Sequence, residues 1–294
     1  MWTPCLDRLR LGALALLLLL TAGAATAQER TLRLLTRPLF VPADVAEAFT
    51  RETGIRVEVT EVEADELVEV LRTRPDDFDL AQPAQDRVLA AQTAHQLFRP
   101  VDLVRIDSAR YLPAMLAATR LNTSVGNQVY AVPHLWGTDG LVVDTRFGQS
   151  ADLQQLCADP AAKIGALPTR GTLVFFALAA GLDPFAAYTD PKAYTSLMEQ
   201  AYRRIEACSP QLQWRRDTDQ LLGGLRRREW GAALLPDGAT WRLARWLPEL
   251  RYSVPATGVA GWIAGYALPA RGREDAAAYT WINYNLRPQV AGQV

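Results

Sequence analysis

Hydrophobic and polar positions switch between two periods along the first hundred residues. Leu32 to Leu35 is a short apolar run, which predicts a strand. From Val41 to Glu52 the apolar residues, Val45 and Phe49 foremost, recur on one helical face, and Gly54 supplies the stop. The stretch IRVEVTEV that follows alternates apolar and polar, the period of a half-buried strand. Asp65 to Arg72 returns to the helical period with Leu67, Val70 and Leu71 inward; FDLAQP reads as a short buried strand ended by Pro83, and Val88 to Thr93 as helix. Strand, helix, strand, helix, strand predicts a parallel sheet with right-handed crossovers.

The texture then changes. VYAVPHLWGTDGLVVD (Val129 to Asp144) reads as two strand-like runs around a Pro, a Trp and two Gly. A second helix-and-strand series runs from Asp152 to about Trp246, and RYSVPATGVAGWIAGYALP (Arg251 to Pro269) repeats the strand, Gly/Pro, strand texture. A helix over Glu274 to Leu286 closes the chain. Two extended passages bracketing a middle block predict an α/β protein of two lobes joined by two crossover strands. Lobe one is expected at 28–134 plus 258–294 and lobe two at 135–257.

The N-terminus changes the compartment. Arg8 and Arg10 precede an almost pure Leu/Ala run, Leu11 to Leu20, and Ala25-Thr26-Ala27 offers a small-x-small cleavage site. That is the layout of a secretory signal peptide over residues 1–27, cleaved near Ala27, and it predicts a periplasmic protein. The apolar run is roughly half of what a membrane span needs. With Cys5 removed, Cys157 and Cys208 remain as an even pair in an oxidising space, where a disulfide closing a loop of 51 residues is expected. The alternatives are two buried thiols or one catalytic thiol. A formal charge of -1 gives no basic field for nucleic acid or an anionic membrane, and the run Arg226-Arg227-Arg228 reads as a solvated helix face.

Candidate chemistry is sparse. With only His95 and His134, a zinc site of the usual His/Cys type has too few ligands. No nucleophile elbow, phosphate loop or dinucleotide fingerprint is present. No metal or cofactor is expected, and enzyme chemistry is left only to Cys157 or Cys208 as a nucleophile, with no visible activating base. The aromatics say more. Trp136 and Trp262 each sit in a Gly-flanked break inside an extended passage, where an interlobe cleft is expected; rigid rings there can stack on a cation or sandwich a small solute. Core packing is the competing reading for both and the favoured one for Trp281.

In order along the chain, TRPLFVPADVAEAFTRETGIRVEV, FDLAQP, YAVPHLWGTDGLVVD and GYALPARGREDAAAYTWINYNLRP resemble bacterial periplasmic solute-binding proteins of the spermidine/putrescine-binding group. The likeness runs from Leu32 to Val294. It implies a two-lobe periplasmic binding protein fold of the second type with two crossover strands at the hinge. It also implies a monomer that closes on a small molecule and delivers it to an ABC permease in the inner membrane. The ligand positions carry over poorly. The family's aromatic falls on Arg37, its Tyr on Phe40 and often another on Asp86; its paired acids fall on Pro168 and Gly171, a further Trp on Pro236 and a further Asp on Ala264. Trp262 and an aromatic at Phe40 survive. Asp86, Asp139 and Asp237 are the acids that can rebuild an amine site at shifted positions. Arg37 with Arg170 and Arg216 instead suits a small anion, held through guanidinium forks. An ion pair between Arg37 and a cleft acid is the plain structural reading. The candidate site residues are therefore Arg37, Phe40, Asp86, Trp136, Asp237 and Trp262. Rival functions are a thiaminase-like enzyme on this fold and a binding protein that reports to a sensor. Family members usually continue past the LRP helix, so a shortened first lobe is expected.

Overall fold

A computed structural model of the chain describes residues 30–147 and 151–293. The expected signal peptide lies outside the described residues. The strands Arg56–Glu61, Thr31–Thr36 and Leu80–Ala81 lie side by side in that order, all parallel. Thr31–Thr36 is the middle strand. A middle strand covered on both faces must be apolar on both, and Leu32, Leu34 and Leu35 are all fully buried. The two-residue period then divides them. Leu32 and Leu34 join Val45, Phe49 and Trp281 on one face, while Leu35 joins Leu67, Leu71 and Phe78 on the other.

The helices end and pack as their sequences predict. Ala43–Thr53 stops at Gly54, whose φ of 71° is the left-handed turn glycine accepts freely, and the Gly54 amide donates to the Thr50 carbonyl. The helix Asp275–Asn285 buries Trp281 edge-on against Phe49, with ring centroids 4.9 Å apart, so this Trp is core. Its indole N–H donates to the Tyr266 hydroxyl at 2.9 Å.

The second sheet runs in the order Leu250–Ser253, Val132–Asp144, Ala232–Pro236, Ile164–Ala166, Leu212–Trp214. It too is covered on both faces, by one apolar cluster around Phe175 and Phe176 and another around Leu221 and Trp230. Cys157 and Cys208 form the expected disulfide, which ties the end of the short helix Leu153–Ala158 to the end of the helix Pro191–Cys208. Both candidate thiols are thereby consumed, and the thiaminase-like reading loses its nucleophile.

Val132–Asp144 is one continuous strand of 13 residues, where the sequence pattern predicted two runs with a break. Its first half pairs antiparallel with Ala260–Tyr266, and its second half with Ala232–Pro236 and Leu250–Ser253. Glycine does not interrupt it because partner strands supply hydrogen bonds on its edges. A Cβ at Gly140 would come within 2.4 Å of the Tyr252 ring, so the absent side chain is a packing requirement. Single bridges Ala81↔Ala267 and Ala84↔Ala264 tie the returning strand back to the first sheet. The two strands of this ribbon are thus the two passages between the sheets.

Three further contacts join the sheets. Leu39, from the loop after the first strand, packs against the second sheet's Leu221–Trp230 cluster. The Glu63 carboxylate accepts from the Thr218 amide at 2.8 Å, at the start of the helix Thr218–Arg227. Arg170 reaches Asp86 at 3.1 Å and Asp65 at 3.6 Å.

Candidate functional site

The first strand ends at Thr36, and the chain must turn before the helix that starts at Ala43. The Phe40 amide donates to the Arg37 carbonyl at 3.3 Å and closes that turn. Leu39 within it has a φ of 70°, a left-handed conformation that costs a non-glycine residue roughly 1–2 kcal/mol. The burial of Leu39 against the far cluster offsets that cost. The strained turn presents Arg37 and Phe40 at the carboxyl end of a parallel strand, where ligands of open α/β sheets bind.

Phe40 and Trp262 stack with ring centroids 5.6 Å apart and planes 20° from parallel. The Arg37 guanidinium carbon lies 4.8 Å from the Phe40 centroid and 5.3 Å from the Trp262 centroid. Contacts of this kind contribute up to about 2 kcal/mol when shielded from water. Trp262 is held in turn by its indole N–H, which donates to Asp139 Oδ1 at 3.1 Å. The register explains the meeting: Trp262 pairs with Gly137 and Ala260 with Asp139, so Asp139 and Trp262 stand on one face of the ribbon.

Asp237 completes the cluster from the second sheet. It follows the strand Ala232–Pro236, and its carboxylate accepts from the Thr138 amide and hydroxyl, each at 3.2 Å, and from the Gly238 amide at 2.7 Å. A Cβ at Gly137 would fall 2.6 Å from both Asp237 Oδ1 and the Trp262 ring, so glycine there lets carboxylate and indole close in from either side. The Tyr252 hydroxyl buttresses Thr138, 2.8 Å from its hydroxyl oxygen and donating to its carbonyl at 3.0 Å. Burial pushes the Tyr252 phenol up to about 12, so it stays a proton donor at any physiological pH.

Charge balance is the site's main property. Burial raises the Asp139 carboxyl above its ordinary range, and the nearby Arg37 charge works against that rise. Burial likewise lowers Arg37, opposed first by Asp139 and then by Glu63, Asp65 and Asp86. An arginine remains protonated under such pressure. Glu63, Asp65 and Asp86 already have partners in Thr218, Arg87 and Arg170. Among the described residues Arg37 forms no ion pair and no side-chain hydrogen bond, and neither Asp139 nor Asp237 has a basic partner within ion-pair distance. Asp139 thus faces Arg37, and Asp237, close enough to Asp139 to act on its charge, has no cation of its own. The predicted ion pair of Arg37 is replaced by stacking on aromatic faces.

The remaining predicted residues are placed elsewhere. Asp86 is exposed and engaged with Arg170 between the sheets, outside the aromatic cluster. Trp136 pairs with Ile263, on the opposite face of the ribbon from Trp262, and is 60% exposed. Trp136 therefore stands exposed on the other side of the ribbon, outside this cluster. Arg170 is committed to acids, and Arg216 is exposed. Gly171, where the resemblance puts an acid, lies in the first turn of the helix Arg170–Ala179, and its Cβ position is 3.1 Å from Asp139 Oδ2, so a carboxylate reaches that place from the strand Val132–Asp144. Thr138, Tyr252 and Glu63 escaped the sequence reading; no local pattern marks a residue whose only role is to hold another.

Other features of the described residues carry less. No group of three or more His, Cys, Asp and Glu is arranged to hold a metal ion among them. A surface depression of about 500 Å³ lined by Tyr194, Met198, Tyr202 and Glu206 runs along the outside of a single helix, with no convergent polar groups from other elements.

The family model of bacterial extracellular solute-binding proteins matches residues 44–292. The putrescine-binding periplasmic protein PotF of Escherichia coli is 23% identical over 302 residues, covering 95% of this chain and 79% of its own. A spermidine/putrescine-binding periplasmic protein of Salmonella typhimurium is 25% identical over 292 residues, covering 96% of this chain and 79% of its own. A putative spermidine/putrescine ABC transporter structure from Listeria monocytogenes superposes with a TM-score of 0.73 at 20% identity, over 90% of this chain and 80% of that one. The fold is accordingly the two-lobe type II periplasmic binding architecture.

Proposed function

The chain belongs to the bacterial extracellular solute-binding protein family, and from that premise we propose that it captures a small organic amine between two lobes in the periplasm and hands it to an ABC permease in the inner membrane. Lobe one is 28–134 plus 258–294 and lobe two 135–257, the division suggested by the two sheets and their four apolar clusters. The site joins Arg37, Phe40 and Trp262 to Asp139 and Asp237. The observation that carries the reading is the pair Asp139 and Asp237, of which Asp139 has only the stacked Arg37 as an opposing charge and Asp237 has no basic partner within ion-pair distance. A small anion would meet two carboxylates for one guanidinium. An ammonium would find a carboxylate excess and aromatic faces, which together compensate the loss of its water.

Binding would favour the closed form, since only that form lets residues of both lobes touch the ligand. Asp139 and Trp262 belong to the hinge ribbon, Phe40 to the first lobe and Asp237 to the second, so the cluster is completed only when the lobes meet. Titration calorimetry of the mature protein against small amines and small carboxylates tests the proposal. Saturable binding of an amine with no response to carboxylates is expected. Tight binding of a carboxylate, with no amine bound, would overturn it.

A further inference from the structure

We propose that Arg37 is a tethered cation that occupies one of two cation positions in the site, so that the protein selects singly charged amines against diamines. The proposal rests on the amine-binding reading above for its ligand, and on Arg37's own surroundings for its mechanism. A bound ammonium in such a site would lie against aromatic rings with a carboxylate behind it. The Arg37 guanidinium meets that description: 4.8 Å from the Phe40 centroid, 5.3 Å from the Trp262 centroid, and acted on first by the charge of Asp139, the carboxylate to which Trp262 is bonded. Arg37 has no ion pair or side-chain hydrogen bond among the described residues, so nothing else accounts for its place. An arginine held for structural reasons usually ends in a carboxylate fork, as Arg33 does on Asp79 at 2.7 and 2.8 Å.

The arithmetic of charge gives the selectivity. Arg37 is the cation that acts on Asp139, and Asp237 beside Asp139 is left without one. A monoamine completes the balance. A diamine brings a second ammonium for which no carboxylate is free, and that ammonium is repelled by the guanidinium. Planarity matters as well, because a guanidinium stacks on rings where a lysine ammonium would keep its water.

The test compares butylamine with putrescine, which have the same carbon chain and differ by one ammonium. The wild-type protein should prefer butylamine. Arg37→Met, which keeps most of the side-chain volume and loses the charge, should gain about tenfold or more for putrescine, since two charges at ~4 Å cost decades of affinity even at moderate dielectric. Arg37→Lys, which keeps the charge and loses the planar stack, should keep only part of the discrimination. A second arm needs no natural ligand: Arg37→Ala should bind one more equivalent of methylguanidinium than the wild-type protein, read by titration calorimetry. A folded Arg37→Ala protein that binds no extra equivalent of methylguanidinium overturns the tethered cation. So does an Arg37→Met protein with no gain for putrescine while the wild type binds butylamine. If the wild type binds neither amine, the amine reading falls, and the methylguanidinium arm still decides the role of Arg37.

Discussion

Replacing Asp79 by Asn should destabilise the protein by about 3 kcal/mol at neutral pH, the low end of what breaking a buried charge pair costs. The Asp79 side chain is fully buried and accepts hydrogen bonds from Arg33 Nε, Nη2 and backbone N at 2.8, 2.7 and 3.1 Å, and from the Arg273 and Glu274 amides at 2.9 and 3.3 Å. It therefore pins the middle strand of the first sheet to the start of the helix that buries Trp281. Asn keeps one acceptor and turns a donor toward Arg33, so at least one charge-assisted bond, worth roughly 1.5–3 kcal/mol, is lost outright. The Arg33 side chain is 30% exposed and can recover some water, which keeps the figure low. Urea unfolding followed by tryptophan fluorescence measures the deficit. The pH dependence has a definite sign. Burial raises the Asp79 carboxyl, but the Arg33 bond, the Arg273 and Arg33 amides and the Arg33 charge outweigh it and hold the group below its ordinary value. A depressed carboxylate stabilises above its unfolded pKa of about 3.9 and ceases to do so as pH falls through the folded value. The Asn variant's deficit should therefore shrink as pH drops from about 4 toward 2. A deficit below about 1 kcal/mol at pH 7, or one unchanged in acid, would refute the reasoning.

Three further outcomes are expected. Replacing Cys157 and Cys208 together by Ala should cost about 4 kcal/mol, from a closed loop of 51 residues; an unchanged urea midpoint would contradict it. His134, pushed down to about 3 by burial, should stay neutral in NMR titration from pH 8 to 4, and because an unfolded histidine protonates near 6.5 it should make stability fall as pH drops below that value. A resonance that titrates near 6.5 in the folded protein would show that the ring is not shielded. Gly137→Ala should weaken amine binding about tenfold with the far-UV spectrum unchanged, because its Cβ would sit 2.6 Å from both Asp237 and Trp262; equal affinity would mean the two can move apart freely.

Much of the scaffold was legible without coordinates. The apolar face of Val45 and Phe49 with its Gly54 stop, the alternation around Val57 and the apolar run at Leu32 each carry their own period, and a period is a local property. The Cys pair was legible from compartment and count. The middle passage was misread, because glycine and proline are local breakers while a strand paired on its edges tolerates them. Gly137 and Gly140 are there for Asp237 and Tyr252, which are distant in the chain. The site was half legible. Arg37 could be singled out as a departure from the family's pattern and Phe40 and Trp262 as the aromatics that keep it, and they do meet. Only the tertiary structure decided that Trp136 faces away, since one position along a strand reverses the side. It alone also decided that Asp139 takes the place beside Gly171, and that Arg37 ends on aromatic faces without an acid. Those outcomes depend on strand register and on the approach of two sheets. A side chain's partner across the fold leaves no trace in the residues beside it along the chain.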